Sequence, residues 1–460
     1  MSRDLFPSLS ALAAALLLAG CSMIPTYERP AAPVPASFPN GADTAGTRSG
    51  ADIAWREFVQ DARLRELVQR AIDNNRDLRV ATLNIERVRA QYQIARANQF
   101  PSIGLGASGN RQPDGSGGIQ SVYSVGLMMS AWEIDFFGRL GALKEAALAE
   151  YLGSEQARLA AQTSLVSAVA QSWLSLQTNE ALLAITRQTQ TTRDDSLRLT
   201  QLRFDNGAAS ALDLRQAQSL AATARASLAQ QERARALDVN ALNLLVGEAV
   251  PAELLQVAEP EAAVLADVPA GLPSDLLTRR ADIRQAEQAL IAANANIGAA
   301  RAAFFPRISL TASVGTASSD LSGLFKDGSW GFTLNPVALL PIFDAGRNRA
   351  GLEVAQVTRD IAVAQYERAI QKAFREVADA LAGRATLAEQ LQAQRDQLTA
   401  ETDRFRLADL RYRNGVASFL DVLDAQRSLF AVQQAEAQTR LALLQNRVAL
   451  YAALGGGWQE

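Results

Sequence analysis

Two hydrophobic periods alternate along this chain, and the alternation occurs twice. From Trp55, the apolar residues Phe58, Leu64, Leu67, Val68, Ala71 and Ile72 recur at helical spacing up to an Asn74-Asn75 break, which predicts one amphipathic helical stretch. A second helix is predicted from about Asp77 to Asn98. At Pro101 the period falls to two: Ile103, Leu105 and Ala107 alternate with Gly104, Gly106 and Ser108. Beyond the polar turn RQPDGSGG, the odd positions Tyr123, Val125, Leu127, Met129 and Ala131 alternate with small or polar neighbours. The same pattern returns at Ile308, Leu310, Ala312 and Val314, with Trp330, Phe332 and Leu334 on the return strand. Period two over about ten residues is the mark of a membrane β-hairpin, although one apolar face packed on a soluble core gives the same pattern.

After each hairpin the helical period resumes and persists. No proline occurs from Arg139 to Asp205 or from Arg347 to Arg413. At about 1.5 Å per residue, either stretch reaches roughly 100 Å as a helix. Seven-residue spacings run through them: Leu152, Leu159, Val166 and Trp173; Val169, Leu176 and Leu183, continued by Leu197 and Phe204; and Leu391, Leu398, Phe405 and Tyr412. A period of 3.5 predicts left-handed supercoiling. Alanine, glutamine, serine and arginine fill most other positions, which suits helices in the wall of a hollow tube and also a solid antiparallel bundle.

The copies keep step in residues as well as in period. ARANQFPSIGLGAS from Ala95 matches ARAAFFPRISLTAS from Ala300, 205 residues on; LRFDNGAASALDLRQAQ from Leu202 matches LRYRNGVASFLDVLDAQ from Leu410, 208 residues on. The three-residue excess is expected within the second hairpin. A period this long excludes a solenoid and indicates a duplicated half-molecule.

Both long helices end at matched turns. Asn206-Gly207 and Asn414-Gly415 supply left-handed stops, and Ser210-x-x-Asp213 and Ser418-x-x-Asp421 are capping-box starts. Arg203 and Phe204 flank one turn, Arg411 and Tyr412 the other, so two similar tips are suited to docking one kind of partner twice. Beyond the tips the copies diverge: Leu420, Asp424 and Arg427 share a helix face, where the first copy has Leu212, Gln216 and Ser219. Pointing into a bore, Asp424 and Arg427 make charged rings and Leu420 an apolar collar; on an outer surface they are a solvated ion pair of little worth.

The first twenty residues read as an export signal, with Arg3, an apolar run from Leu9 to Ala19, and Leu18-Ala19-Gly20-Cys21 at its end. Cys21 is the only cysteine, and the string resembles a bacterial lipobox, which implies acylation of Cys21 and, with Ser22 next, sorting to the outer membrane. An ordinary signal peptide with an incidental cysteine is the alternative. A net charge of −3 offers no basic field for nucleic acid, and with no histidine the usual zinc sites and Ser-His-Asp devices are missing. Phosphate-binding glycine loops are absent as well, so no enzyme and no cofactor is expected.

A membrane sheet must close, and the smallest single-chain barrels need about eight strands, so a chain with four must share a barrel with further copies. The segments WREFVQDARLRELVQRAIDNNRDLRVA, LPSDLLTRRADIRQAEQAL, DFFGRLGALKEAA, PIFDAGRNR and LRYRNGVASFLDVLDAQRSL together resemble the outer-membrane efflux proteins of the TolC superfamily, in its OprM-like lipoprotein branch. The resemblance implies an α+β membrane protein: a trimeric twelve-stranded β-barrel, four strands per chain, continuing into a long periplasmic α-helical coiled-coil barrel with an equatorial belt. The organisation expected is a signal peptide (1–20), an acylated strap with part of the belt (21–60), and a first repeat (61–250) with hairpin 101–137 and helices 139–205 and 209–247. A belt linker (251–273), a second repeat (274–455) with hairpin 306–343 and helices 347–413 and 417–454, and a tail (456–460) complete it.

The same resemblance makes Leu420, Asp424 and Arg427 a periplasmic gate, and Tyr412 and Arg413 the links that hold it shut. It implies docking of a periplasmic adaptor at tips that include Arg203, Phe204, Asn206, Gly207, Ser210, Arg411, Asn414, Gly415 and Ser418. An inner-membrane pump, for preference of the proton-driven RND type, is the further partner, and the function implied is passive export of drugs or other small toxic compounds. A duct for secreted proteins would share this architecture, and a non-conducting coiled-coil lipoprotein would share its helices. Ala281 departs from the RRPDIR pattern of the family, which removes a proline from one helix start.

Overall fold

A computed structural model describes residues 22–39, 50–113, 115–256, 264–269 and 273–458. Cys21 and the signal segment lie outside the described residues, as does much of the expected linker. In order come α1 (Trp55–Phe58), α2 (Ala62–Asn74), α3 (Arg76–Ala97), β1 (Ile103–Pro113), β2 (Ile119–Ile134), α4 (Arg139–Asp205) and α5 (Ala211–Val246). They are followed by α6 (Pro273–Arg279), α7 (Ala281–Ala302), β3 (Arg307–Ser318), β4 (Trp330–Leu339), α8 (Arg347–Arg413) and α9 (Phe419–Ala453). Both α4 and α8 are 67 residues long. Among the described residues no helix is long and apolar enough to cross a membrane.

Two compact units cut across the repeats instead of following them. Of the described residues, one takes those up to Ala31 with those of Leu83–Glu155 and Gln285–Arg368; the other takes those of Ala32–Thr82, Gln156–Arg284 and from Ala369 on.

The first unit holds an antiparallel sheet in the order β1-β2-β3-β4, so the two hairpins join through β2 and β3. Alternation along each strand becomes continuous rows across all four. Leu105, Leu127, Val314 and Phe332 form one row, and Ile103, Met129, Ala312 and Leu334 the next. Most of these side chains are exposed on the isolated chain, Leu105 at 78% and Phe332 at 75%. The opposite face carries Ser108 bonded to Ser124 (2.8 Å) and Ser313 bonded to Thr333 (2.7 Å). Between these polar rungs runs a row made only of glycine: Gly106, Gly126, Gly315 and Gly331. A Cβ on Gly126 would lie 2.3 Å from the Val314 carbonyl oxygen, and one on Gly315 2.2 Å from that of Val125. Between Gly126 on β2 and Gly315 on β3 the backbones approach too closely for any side chain, as on the concave side of a strongly coiled sheet.

The sheet corrects two details of the expected hairpins. Pro113 pairs with Ile119, so Arg111, Gln112 and Pro113 belong to the strand and the tip is shorter than RQPDGSGG. The register also slips between Met129 and Trp132, with Ala131 at φ +47°, so the apolar positions move from odd numbers to Trp132 and Ile134. A bulge of this kind flips alternation in a way that period two cannot foresee.

Residues of the strap lie against α7 in the same unit. Ile24 packs on a small-residue cluster of Ala146, Ala149, Ala292 and Ala295, and a Cβ on Gly298 would lie 2.9 Å from the Ile24 backbone nitrogen. Glu287 clasps the strap: it accepts from Arg29 Nε (2.7 Å) and Nη2 (3.0 Å) and from the Tyr27 hydroxyl (3.0 Å). Asn294 Nδ2 donates to the Pro25 carbonyl at 2.8 Å.

The core of the second unit gathers chain from both repeats. Phe58 stacks on Tyr451 with centroids 3.9 Å apart, and the Tyr451 hydroxyl donates to the Ile53 carbonyl at 2.7 Å. Gly456 faces that ring, where a Cβ would meet it at 2.3 Å. The single helical stretch expected from Trp55 to Asn74 is two helices. Val59 bridges to Leu265, Gln60 N donates to the Val264 carbonyl, and Asp61 then caps α2 by accepting from Arg63 N and Leu64 N. A pairing with chain some two hundred positions away breaks a helix that local spacing favours. Arg280, 6% exposed, reaches Asp282 (2.6 Å), Glu376 (2.8 Å) and the Ala453 carbonyl (2.9 Å), so the α7 start that lacks its proline is tied down by side-chain bonds.

Within the second unit the seams of the long helices are narrow. Val166, Val169, Trp173, Leu176 and Leu183 on α4 are buried, as are Ile370, Ala373, Val377 and Ala380 on α8 at alternating spacings of three and four. Polar links fill the gaps: Asn179 donates to Asp238 (2.6 Å), Gln445 to Ser175 (3.1 Å) and Asn446 to the Ala380 carbonyl (2.8 Å). At the ends of the seven-residue frame, Leu152 and Phe204 are exposed.

Candidate functional site

The two tips are built by the same device. Gly207 (φ +70°) and Gly415 (φ +74°) take the left-handed conformation that ends α4 and α8. Asn206 Nδ2 donates to the Leu202 carbonyl and Asn414 Nδ2 to the Leu410 carbonyl, both at 2.7 Å. Ala208 N reaches back to the Arg203 carbonyl (2.7 Å) and Val416 N to that of Arg411 (3.0 Å), which satisfies the last free carbonyls of each helix. Ser210 and Ser418 then cap α5 and α9 in reciprocal capping boxes with Asp213 and Asp421. Symmetry at the level of single bonds follows from the repeated sequence.

The tip side chains meet across the repeats. Arg203 Nη1 donates to the Tyr412 hydroxyl, with its guanidinium 4.9 Å from the centre of that ring, and Tyr412 in turn lies against Phe419 at 5.1 Å. Tyr412 thus links α4 to α8 and α9. Arg413 is not part of this group; it pairs with Asp409 on its own helix at 2.8 Å.

Beyond the second tip, Asp424 stands between two guanidinium groups. Arg427 Nη2 lies 2.5 Å from Asp424 Oδ1, and Arg404 Nη2, from α8, contacts Oδ2. Arg404 also reaches Glu401 (3.1 Å) and Ser428 Oγ (3.3 Å). The bond from Arg404, aided by Arg427, holds the Asp424 carboxyl below the ordinary aspartate range against a partial desolvation that opposes it. Leu420, one turn before Asp424, is exposed at 53% and free to meet something outside the chain.

Sequence reasoning found Asp424 and Arg427 but missed Glu401 and Arg404. The signal was present in the offset of 208: Arg404 aligns with Ser196, and Glu401 with Arg193. All four members of the network are therefore unlike their counterparts in the first repeat, and the cluster occurs once per chain. Charge is thus built into one copy of an otherwise matched pair.

Comparison with known proteins accords with this geometry. The family model of outer membrane efflux proteins matches residues 67–248 and again 272–456, once for each repeat. The chain is 49% identical to the toluene efflux pump outer membrane protein TtgC of Pseudomonas putida, over 98% of this chain and 96% of that protein. It is 47% identical to the outer membrane protein OprJ of Pseudomonas aeruginosa, over 98% and 96%. Among solved structures, the open state of the MtrE outer membrane channel of Neisseria gonorrhoeae superposes with a TM-score of 0.85 at 37% identity, over 95% of this chain and 99% of that one. With its duplicated helical body, its four-stranded sheet and its matched tips, this chain belongs to the outer membrane efflux protein family, as an outer-membrane channel component of an efflux pump.

Proposed function

We propose that three copies of this chain join edge to edge into one twelve-stranded barrel and form a passive duct, closed at its inner end by Leu420, Asp424 and Arg427 together with Arg404. The observation that carries this reading is the sheet: apolar rows on one face, glycine, serine and threonine on the other, and unpaired outer edges on β1 and β4. Such a sheet suits lipid outside and water inside, and it needs a neighbour at each edge. The tips at Asn206-Gly207 and Asn414-Gly415 receive a periplasmic adaptor, which brings cargo from a proton-driven inner-membrane pump. No covalent chemistry is required of the chain.

The name of the relative TtgC, a toluene efflux pump protein, points the cargo toward small aromatic solvents. Acylation at Cys21 fits a strap whose next residues are already fastened to α7 by Ile24, Tyr27 and Arg29. Recording from the purified protein in planar bilayers tests the duct directly. Discrete conductance steps are expected from wild type, larger in the Asp424→Ala/Arg427→Ala variant; a protein that inserts but never conducts would refute it.

A further inference from the structure

Arg193 on α4 is only 3% exposed, and no carboxylate lies in the cavity it lines. Its Nη1 donates to the Leu220 carbonyl at 3.2 Å and its guanidinium lies 5.3 Å from the centre of the Phe430 ring, but its Nε has no partner. Gln426 Oε1, also buried, has none either. Both residues line a cavity of about 450 Å³ whose other walls include Ile185, Phe405, Leu429 and Phe430.

A buried cation without a counter-ion is costly, and burial with no opposing charge draws the Arg193 guanidinium below its ordinary value. A water molecule could serve Nε and Oε1, yet it would neutralise no charge. The volume falls within the range of about 300–1,000 Å³ typical of small-molecule sites. The site also occurs once per chain. At the offset of 208, the first repeat has Arg193 where the second has Glu401, and the second has Phe430 where the first has Ala222.

We infer that this cavity binds a small amphipathic anion: a carboxylate or sulfonate that takes the free Arg193 N–H, an aromatic body resting on Phe405, Leu429 and Phe430, and a hydroxyl donor for Gln426. The residues that line the cavity all come from α4, α8 and α9 of a single chain, so the site is complete within one copy.

The probe is 6-hydroxy-2-naphthoate, titrated by calorimetry into the purified full-length protein in detergent, with neutral 2-naphthol as the uncharged comparator. Saturable binding at one site per chain is expected, with 2-naphthol at least about tenfold weaker, as loss of a buried charge-assisted bond implies. Arg193→Leu should weaken the naphthoate by a similar factor, Thr189→Trp should fill the cavity and abolish binding, and Arg198→Leu, on the exposed face, should leave it unchanged. Absence of saturable binding to wild type, equal affinity for the neutral comparator, or undiminished binding to Thr189→Trp would each overturn the assignment. Because the charge comparison uses wild type alone, it decides the matter even if Arg193→Leu does not fold.

Discussion

Arg404 on α8 reaches Asp424 on α9, and this inter-helix bond lowers the Asp424 carboxyl more than Arg427 does from within the same helix. An i, i+3 pair such as Asp424–Arg427 fixes nothing between helices, and Arg427 is 70% exposed. Arg404→Ala is therefore expected to raise bilayer conductance or open probability more than Arg427→Ala does, with Asp424→Ala at least as strong as either. An Arg404→Ala channel indistinguishable from wild type would remove Arg404 from the proposed gate.

The same network sets a pH dependence. Because the folded value of Asp424 is depressed, its contribution is complete above the ordinary aspartate pKa of about 3.9 and is lost only as pH falls through the lower folded value. Closed-state leakage should be flat from neutrality down to about pH 5 and should rise only below the ordinary value. Current recorded across a pH series checks this, and a rise near pH 6 would implicate some other group.

In the glycine row, position decides tolerance. Gly126→Val and Gly315→Val would drive Cβ atoms into neighbouring backbone, whereas Gly331, with nothing within 4 Å of the place a Cβ would take, has room. The first two variants should fail to give heat-resistant oligomers in the outer-membrane fraction, and Gly331→Val should assemble. Gel mobility with and without heating distinguishes the three.

The strap clasp rests on one carboxylate. Glu287→Ala leaves Arg29 and the Tyr27 hydroxyl without their acceptor, so residues 22–31 should gain hydrogen exchange and protease sensitivity while the sheet stays intact. Mass spectrometry of exchange along the strap reads this directly.

At the tips, Ser210→Ala and Ser418→Ala each remove a capping box and should cost about 1 kcal/mol of local helix stability. Matched bonding predicts nearly equal effects at the two turns. Faster amide exchange at the first turns of α5 and α9, without loss of assembly, is the expected result.

What the sequence revealed and what it hid divide along a physical line. Long uninterrupted periods, glycine stops and capping boxes act over a few residues, so the helices around Asn206-Gly207 and Asn414-Gly415 and the strand alternation could be read directly. The bulge at Ala131, the row that aligns Gly106 with Gly331, and the break at Val59 depend on registers set by distant chain. Asp424 and Arg427 were legible because they share a helix face. Arg404 belongs to another helix, and only the contrast between the repeats could have exposed it.

The central seam of the sheet pairs Tyr123 with Ser318, partners 195 positions apart, whereas each hairpin closes within a few dozen. A chain emerging from its amino terminus can thus fold its first hairpin early, but must hold one raw edge in readiness until the second half has been made. Contacts of such long span form slowly, and half-finished sheets invite the wrong neighbour. The sheet of one copy can therefore offer a finished pair of outer strands only after both halves of that copy have been made.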